Sequence, residues 1–327
     1  MAIRRVVQID VLKGLATLAV VATHTYLAAE LVDSWAVLHV WQAVPIFLVI
    51  LGVTSSMSFQ RAATHDVRRL LDSRYLIRRG VRILAPFAFV WVLAAIAGRA
   101  RGSFSVGLQS ALLRLPYGGP GNYFVPLVVA FLLLAPIAYV AYRRWPIATL
   151  VAAFALNLAF ELAALHIGLF ARVPFLYSIA FPRYLAAFAL GLFLADSRPS
   201  PRVRWGVLSV GAAASLVYLA IGNLGLWSPP FVPDWRTQNL LAVFYPALLV
   251  ALGMRWLPST SNGALPDALA RIGRASYHIF LMQMLYFTLL GRGQSGLLAV
   301  NLVLTVFLGL GFLKSEEWVR SRWAQRH

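Results

Sequence analysis

Runs of apolar residues about as long as a bilayer is thick recur along the chain, and short gaps between them hold most of its charge. They lie near 9–28, 36–58, 76–98, 122–142, 146–165, 174–195, 204–223, 237–256, 274–290 and 295–313. A membrane-crossing helix needs roughly 20 apolar residues and a barrel strand about half as many, so each run predicts a helix. Inside the runs neither a 3.6-residue nor a two-residue period stands out, because they are apolar nearly all round. Backbone groups in hydrocarbon must be paired within the segment, which also favours helices. The reading is an all-α polytopic membrane bundle of about ten transmembrane helices, forming a single transmembrane domain over 1–327. Pro86, Pro126, Pro136, Pro182 and Pro246 fall inside predicted spans, where neighbouring helices can accommodate them.

Composition agrees with this pattern. The chain is 60% hydrophobic and 12% charged, with a mean hydropathy of +0.75. A soluble domain carries roughly 25% charged residues, so polar surface is too scarce to coat a water-soluble body. Cysteine is absent, which excludes disulfides, thiolate metal sites and a cysteine nucleophile. The first run resembles a signal peptide only superficially. It is long enough to span and contains Asp10, Lys13 and His24, so it is expected to remain as a first helix.

The net charge of +18 takes its meaning from its distribution. Arg61, Arg68, Arg69, Arg74, Arg78, Arg79 and Arg82 crowd one gap. Arg143, Arg144, Arg198, Arg202, Arg204, Arg255, Arg271 and Arg274 fall in later gaps of the same parity, as do both basic termini. The opposite gaps hold Arg99, Arg101, Arg114, Arg172, Arg236 and Arg292. By the positive-inside rule both termini are cytoplasmic. Nothing suggests the basic face of a nucleic-acid-binding domain. The longest outer gaps, about 99–121 and 224–236, are rich in Gly, Pro and aromatic residues and are long enough to wall a site at the outer face.

Ionisable residues inside the spans carry the candidate chemistry, since a charge in the membrane is costly. At 100° per residue, Lys13 and His24 lie about 20° apart around the first helix, with Thr17 about 40° and Asp10 about 60° from Lys13. Asp10, Lys13, Thr17 and His24 therefore share one broad face. Lys13 and His24 are about 16 Å apart along the axis, Lys13 near the cytoplasmic mouth and His24 beyond the midplane. A cation at one end and a titratable base at the other suit an anionic donor entering from the cytoplasm. The plainer alternatives are an interfacial Asp10–Lys13 pair with Lys13 snorkelling, and a structural His24.

Arg183 falls near the middle of the sixth run, where a permanent cation needs an anionic substrate, water or a structural ion pair. Arg78, Arg79 and Arg82 open the third run; they are either positive-inside anchors or an arginine fork for phosphate. Glu161 and His166 stand near the outer end of the fifth run, at the interface or at an acceptor site. His39, His65 and His278 are weaker candidates, and no His/carboxylate cluster argues for a metal.

Several of these residues also carry a family resemblance. Ile9-Asp10-Val11-Leu12-Lys13-Gly14-Leu15 followed by Val20-Val21-Ala22-Thr23-His24 resembles the opening of the acyltransferase 3 membrane family, whose signature pairs a basic residue with a histidine after ten intervening residues. Arg79-Gly80-Val81-Arg82 resembles its paired-arginine motif, and Val44-Pro45-Ile46-Phe47 its second-helix segment. Tyr123-Phe124-Val125-Pro126, Tyr184 to Gly191, and Ser276-Tyr277-His278-Ile279-Phe280-Leu281 are similar to later blocks. The likeness runs from about residue 8 to 313, with Gln283 where many relatives carry a second histidine.

The resemblance implies transfer of an acyl group, usually acetyl from acetyl-CoA, to a hydroxyl of a carbohydrate such as a polysaccharide, oligosaccharide or lipid-linked glycan. It implies the stand-alone type found in exopolysaccharide decoration, at the bacterial inner membrane. His24 would be the base, with Lys13, Asp10 and Arg183 as further catalytic candidates. Arg79, Arg82, Arg78 and Lys13 would hold the donor's phosphates. Tyr123, Glu161, Ser276 and Tyr277 are candidates for the acceptor. The rival expectation is a transporter for an acyl or glycan substrate, which broken helices and an intramembrane cation would also fit.

Overall fold

The computed structural model describes residues 6–62, 66–102, 107–116, 119, 121–227, 237–260, 263–290 and 297–324. It is helical throughout, with no strand among the described residues. The helices of ten or more residues are α1 (Val7–Thr25), α2 (Ala43–Arg61), α3 (Ser73–Ala100), α4 (Phe124–Arg144), α5 (Pro146–His166) and α6 (Leu185–Leu194). They continue with α7 (Pro201–Asn223), α8 (Phe244–Trp256), α9 (Ala264–Arg274), α10 (Ser276–Leu290) and α11 (Leu298–Ala324). Seven helices among the described residues are long and apolar enough to cross a membrane. The intervals 174–195, 237–256 and 274–290 hold shorter helices than the continuous spans expected there.

Proline explains one of these differences. In 174–195 the chain forms Pro174–Ile179, leaves the helix at Ala180 (ψ 108°), makes a 3-10 turn at Phe181–Tyr184 and only then enters α6. Pro182 lacks an N–H and disfavours helical backbone just before it. Pro86 and Pro136, by contrast, are absorbed within α3 and α4.

By contacts the chain divides into two compact units. The first comprises Met1–Ser34, Arg82–Val125 and Trp256–His327; the second comprises Trp35–Val81 and Pro126–Arg255. In the first, α1 packs along α9, α10 and α11. A core of Phe87, Val90, Ala94, Leu115, Val125, Leu281, Met284 and Leu285 joins α3 to α10. In the second, α6 packs along α2 and α5. Gly52 and Gly191 let α2 and α6 touch backbone to backbone: a Cβ on Gly52 would lie 2.2 Å from the Phe188 carbonyl oxygen, and one on Gly191 2.1 Å from that of Val49. Small residues at such crossings are how membrane helices approach closely without a hydrophobic driving force.

Within each unit, helix ends that charge assigns to one side meet. In the second unit Gln60 donates to the Ala195 carbonyl, and the Arg255 guanidinium lies over Trp205. In the first, Tyr277 donates to Ile83 O at the inner ends and Arg101 to Leu289 O at the outer ends.

Candidate functional site

The first unit holds Asp10, Lys13, His24, Arg82, Tyr123, Ser276 and Tyr277; the second holds Arg78, Arg79, Glu161 and Arg183.

In the first unit α1 carries Lys13 and His24, both half-buried. Its inner half is clamped by α9, a short amphipathic helix that hydropathy alone does not reveal. The two backbones nearly touch: a Cβ on Gly14 would lie 2.2 Å from Leu269 O, and one on Gly273 1.7 Å from Asp10 O. Asp10 thus presents its backbone to α9. Thr17 donates its hydroxyl to the Lys13 carbonyl at 2.7 Å, so that hydroxyl is turned back onto the helix.

His24 lies one residue before the end of α1, with its ring 5.9 Å from that of Phe287 on α10 and tilted by 59°. A polar cluster missed by the sequence reading lies beside it. Asn301 of α11 donates to Thr25 Oγ1 at 3.2 Å and accepts from the Tyr286 hydroxyl at 2.6 Å. These bonds tie α1, α10 and α11 together where a bare apolar contact would let them slide. Asn301 and Thr25 are ordinary polar residues within apolar runs, and nothing in the pattern joins them.

The other candidates of this unit have mixed placements. Tyr277 is half-buried and spends its hydroxyl on Ile83 O at 2.7 Å, joining α10 to α3. Ser276 is half-buried at the start of α10, and Tyr123 is buried just before α4. Arg82 is exposed. His278 is buried against Glu316 of α11, which also pairs with Arg320, so this histidine joins two helices. Gln283 is fully buried, and neither polar atom of its amide has a hydrogen-bond partner among the described residues.

In the second unit Arg79 is half-buried on α3. It donates to Ser58 Oγ at 2.7 Å, with its guanidinium 4.9 Å from the Tyr75 ring centre and 6.0 Å from that of Phe59. A planar guanidinium held against aromatic rings is pre-oriented, which a lysine would not be. Arg78 is exposed. His39 is exposed, as is His166 at the end of α5, and His65 lies outside the described residues.

Arg183 and Glu161 form an ion pair, Nε to Oε1 at 3.5 Å, with both side chains essentially inaccessible. The Tyr177 hydroxyl donates to Glu161 Oε2 at 2.5 Å, and the guanidinium lies 4.3 Å from the Tyr177 ring centre and 5.4 Å from that of Tyr184. The break at Pro182 turns Arg183 toward α5, so the structural ion pair left open by the sequence is present. It occupies the charge of Glu161, one of the acceptor candidates. One turn along α5, Asn157 is also fully buried.

A carboxylate in the next gap was likewise missed. Asp196 accepts from Arg198 Nε at 2.9 Å and from the Tyr142 hydroxyl at 3.0 Å, with Arg143 4.0 Å away. Two of the positive-inside arginines are thereby committed to holding the end of α6 against α4.

No curated protein and no solved structure matches the chain. A family model does match, over residues 6–313, and is described as an acyltransferase domain. That match covers nearly the whole chain, including the Lys13–His24 helix, the Arg79–Arg82 segment and the start of α10. The all-helical architecture with seven membrane-length helices agrees with it. The chain belongs to the acyltransferase 3 family of membrane acyltransferases.

Proposed function

We propose that this protein moves an acyl group, acetyl in the first instance, from cytoplasmic acyl-CoA to a hydroxyl of an extracytoplasmic or lipid-linked carbohydrate at the bacterial inner membrane. The observation that carries the reading is α1: one helix presents Lys13 at its inner part and His24 near its outer end. Within the first unit, α9, α10 and α11 pack around this helix. The donor is a polyanion, and Lys13 with the exposed Arg82 supplies cations for its phosphates.

His24 then takes the proton of the acceptor hydroxyl as its oxygen attacks the thioester carbonyl. The C–O bond forms, the C–S bond breaks, and the thiolate of CoA leaves and collects a proton. Acceptor identity rests on the family resemblance: sugar hydroxyls are abundant, neutral and poorly nucleophilic without a base.

The test is thiol release from acetyl-CoA by detergent-purified protein, with and without a mixed glycan extract. Wild type is expected to release thiol only with the extract, and His24→Ala to lose about 10²–10⁴-fold of that rate while still binding acetyl-CoA. Full activity in His24→Ala would remove the base from this reading. Donor binding without release under any acceptor would mean a different acyl group or acceptor, and absence of acetyl-CoA binding would leave transport as the better account.

Arg82 gives a second expected outcome. Its exposure means that Arg82→Ala should leave thermal stability within about 0.5 kcal/mol of wild type. Loss of a charge-assisted phosphate contact should nevertheless raise the acetyl-CoA dissociation constant about 10–100-fold, and more steeply at low salt. An unchanged constant would place the phosphates elsewhere.

A further inference from the structure

We propose that Gln283 is a catalytic residue: its side-chain amide donates to the thioester carbonyl oxygen as that oxygen gathers negative charge. The proposal rests on the acyl-transfer reading of His24.

Gln283 lies four residues before Phe287, whose ring meets that of His24. On a helix that spacing puts the two on nearly the same side, with Gln283 about 6 Å closer to the cytoplasm. Four residues further in, Ile279 meets Gly309 of α11, where a Cβ would lie 2.4 Å from the Ile279 Cα. Gln283 therefore stands between the part of α10 facing α11 and the part facing His24. An acyl chain running from Lys13 toward His24 passes its level.

The amide is uncommitted. It is 0% exposed, and neither Nε2 nor Oε1 has a hydrogen-bond partner among the described residues. The neighbouring polar groups of α10 are already used: Tyr286 donates to Asn301 Oδ1, and Thr288 to the Met284 carbonyl. Leaving a buried amide unpaired is unfavourable, because its lost bonds to water are not replaced. Leucine or methionine would fill the same space without that penalty, so packing does not account for glutamine. A polar group kept at such a cost belongs where a ligand completes it.

The chemistry supplies the ligand. As the acceptor oxygen attacks, the carbonyl π electrons move onto oxygen, and the two N–H bonds of Nε2 are donors for that charge. Collapse of the tetrahedral species expels the CoA thiolate, which receives the proton taken by His24, giving ester and free thiol. A fixed donor in a dry site acts more strongly on this charge than water does.

The experiment compares wild type, Gln283→Met, Gln283→His and His24→Ala for glycan-dependent thiol release, acetyl-CoA binding and thermal unfolding. Gln283→Met keeps length and removes the donors. It is expected to lower kcat about 10²–10³-fold, with acetyl-CoA binding unchanged and unfolding no earlier than wild type. Gln283→His restores an N–H donor and should recover part of the rate. Wild-type turnover in Gln283→Met, or a loss that tracks weakened donor binding or earlier unfolding, overturns the proposal while leaving the acyl-transfer reading intact. Absence of thiol release from wild type itself overturns both.

Discussion

Glu161→Leu is expected to leave the detergent-solubilised protein largely unfolded at temperatures where wild type is intact. The substitution strips the Arg183 guanidinium of its carboxylate in a place where both side chains are essentially inaccessible. It also removes the acceptor of the Tyr177 hydroxyl. Breaking a buried pair by removing one partner costs about 3–5 kcal/mol, a large share of the roughly 5–15 kcal/mol that holds a domain folded. The aromatic rings of Tyr177 and Tyr184 beside the guanidinium offset only part of this.

The double variant Glu161→Leu with Arg183→Met separates the pair from its surroundings. Replacing both charges by apolar groups of similar size is often neutral, so most of the lost stability should return. The measurement is thermal unfolding of the two variants beside wild type. A single variant as stable as wild type would mean that Arg183 finds another counter-charge. A double variant as unstable as the single would mean that the glutamate acts through Tyr177.

The second large effect is expected at Gly273. Its missing Cβ would lie 1.7 Å from the Asp10 carbonyl oxygen and 2.9 Å from the Gly14 nitrogen. Both neighbours are helix backbone, so neither can swing aside. Gly273→Val must therefore push α9 off α1. Overpacking a tight contact costs about 1–3 kcal/mol when side chains can adjust, and this crossing has none to move.

Because Asp10 and Gly14 flank Lys13, the same change should weaken acetyl-CoA binding as well as lower the unfolding temperature. Gly80→Ala is the control: a Cβ there meets nothing within 4 Å, and a helix-interior glycine exchanged for alanine gains about 0.5–1 kcal/mol. Equal behaviour of the two variants would show that the α1–α9 crossing bears little weight.

Both effects arise from features that hydropathy does not encode. The apolar runs made the helices legible because length and hydrophobicity alone decide whether a segment can cross a bilayer. The charges between them give an expected helix direction, and the contacts of Gln60 with Ala195 and of Tyr277 with Ile83 join ends that this expectation puts on one side. Helix α9 escaped because it is short and two-faced, with arginines that read as ordinary positive-inside charge. The break at Pro182 was visible as a proline, yet proline alone does not say whether a helix kinks through, as at Pro86, or stops.

The site divides in the same way. Lys13 and His24 were legible as candidates because a helix converts an eleven-residue spacing into a shared face. Arg183 was legible as a charge needing an answer, and Glu161 as a charge of uncertain purpose. That the two answer each other required the fold, because they lie 22 positions apart in the chain on separate elements. The arginine motif shows the same limit: repetition marks Arg79 and Arg82, but packing alone decides that Arg79 leans on Tyr75 while Arg82 stays exposed.

What the sequence by itself determined is whatever follows from spacing along one element: the apolar runs and the Lys13–His24 face. What only the tertiary structure decided is which elements meet. It set Gly273 against Asp10, Phe287 against His24, Arg183 against Glu161 and Asn301 against Thr25. The physical reason is that local propensity and hydrophobicity act between near neighbours in the chain. In apolar surroundings, helix partners are selected instead by close backbone approach and by the pairing of a few buried polar groups, which are set by three-dimensional contact.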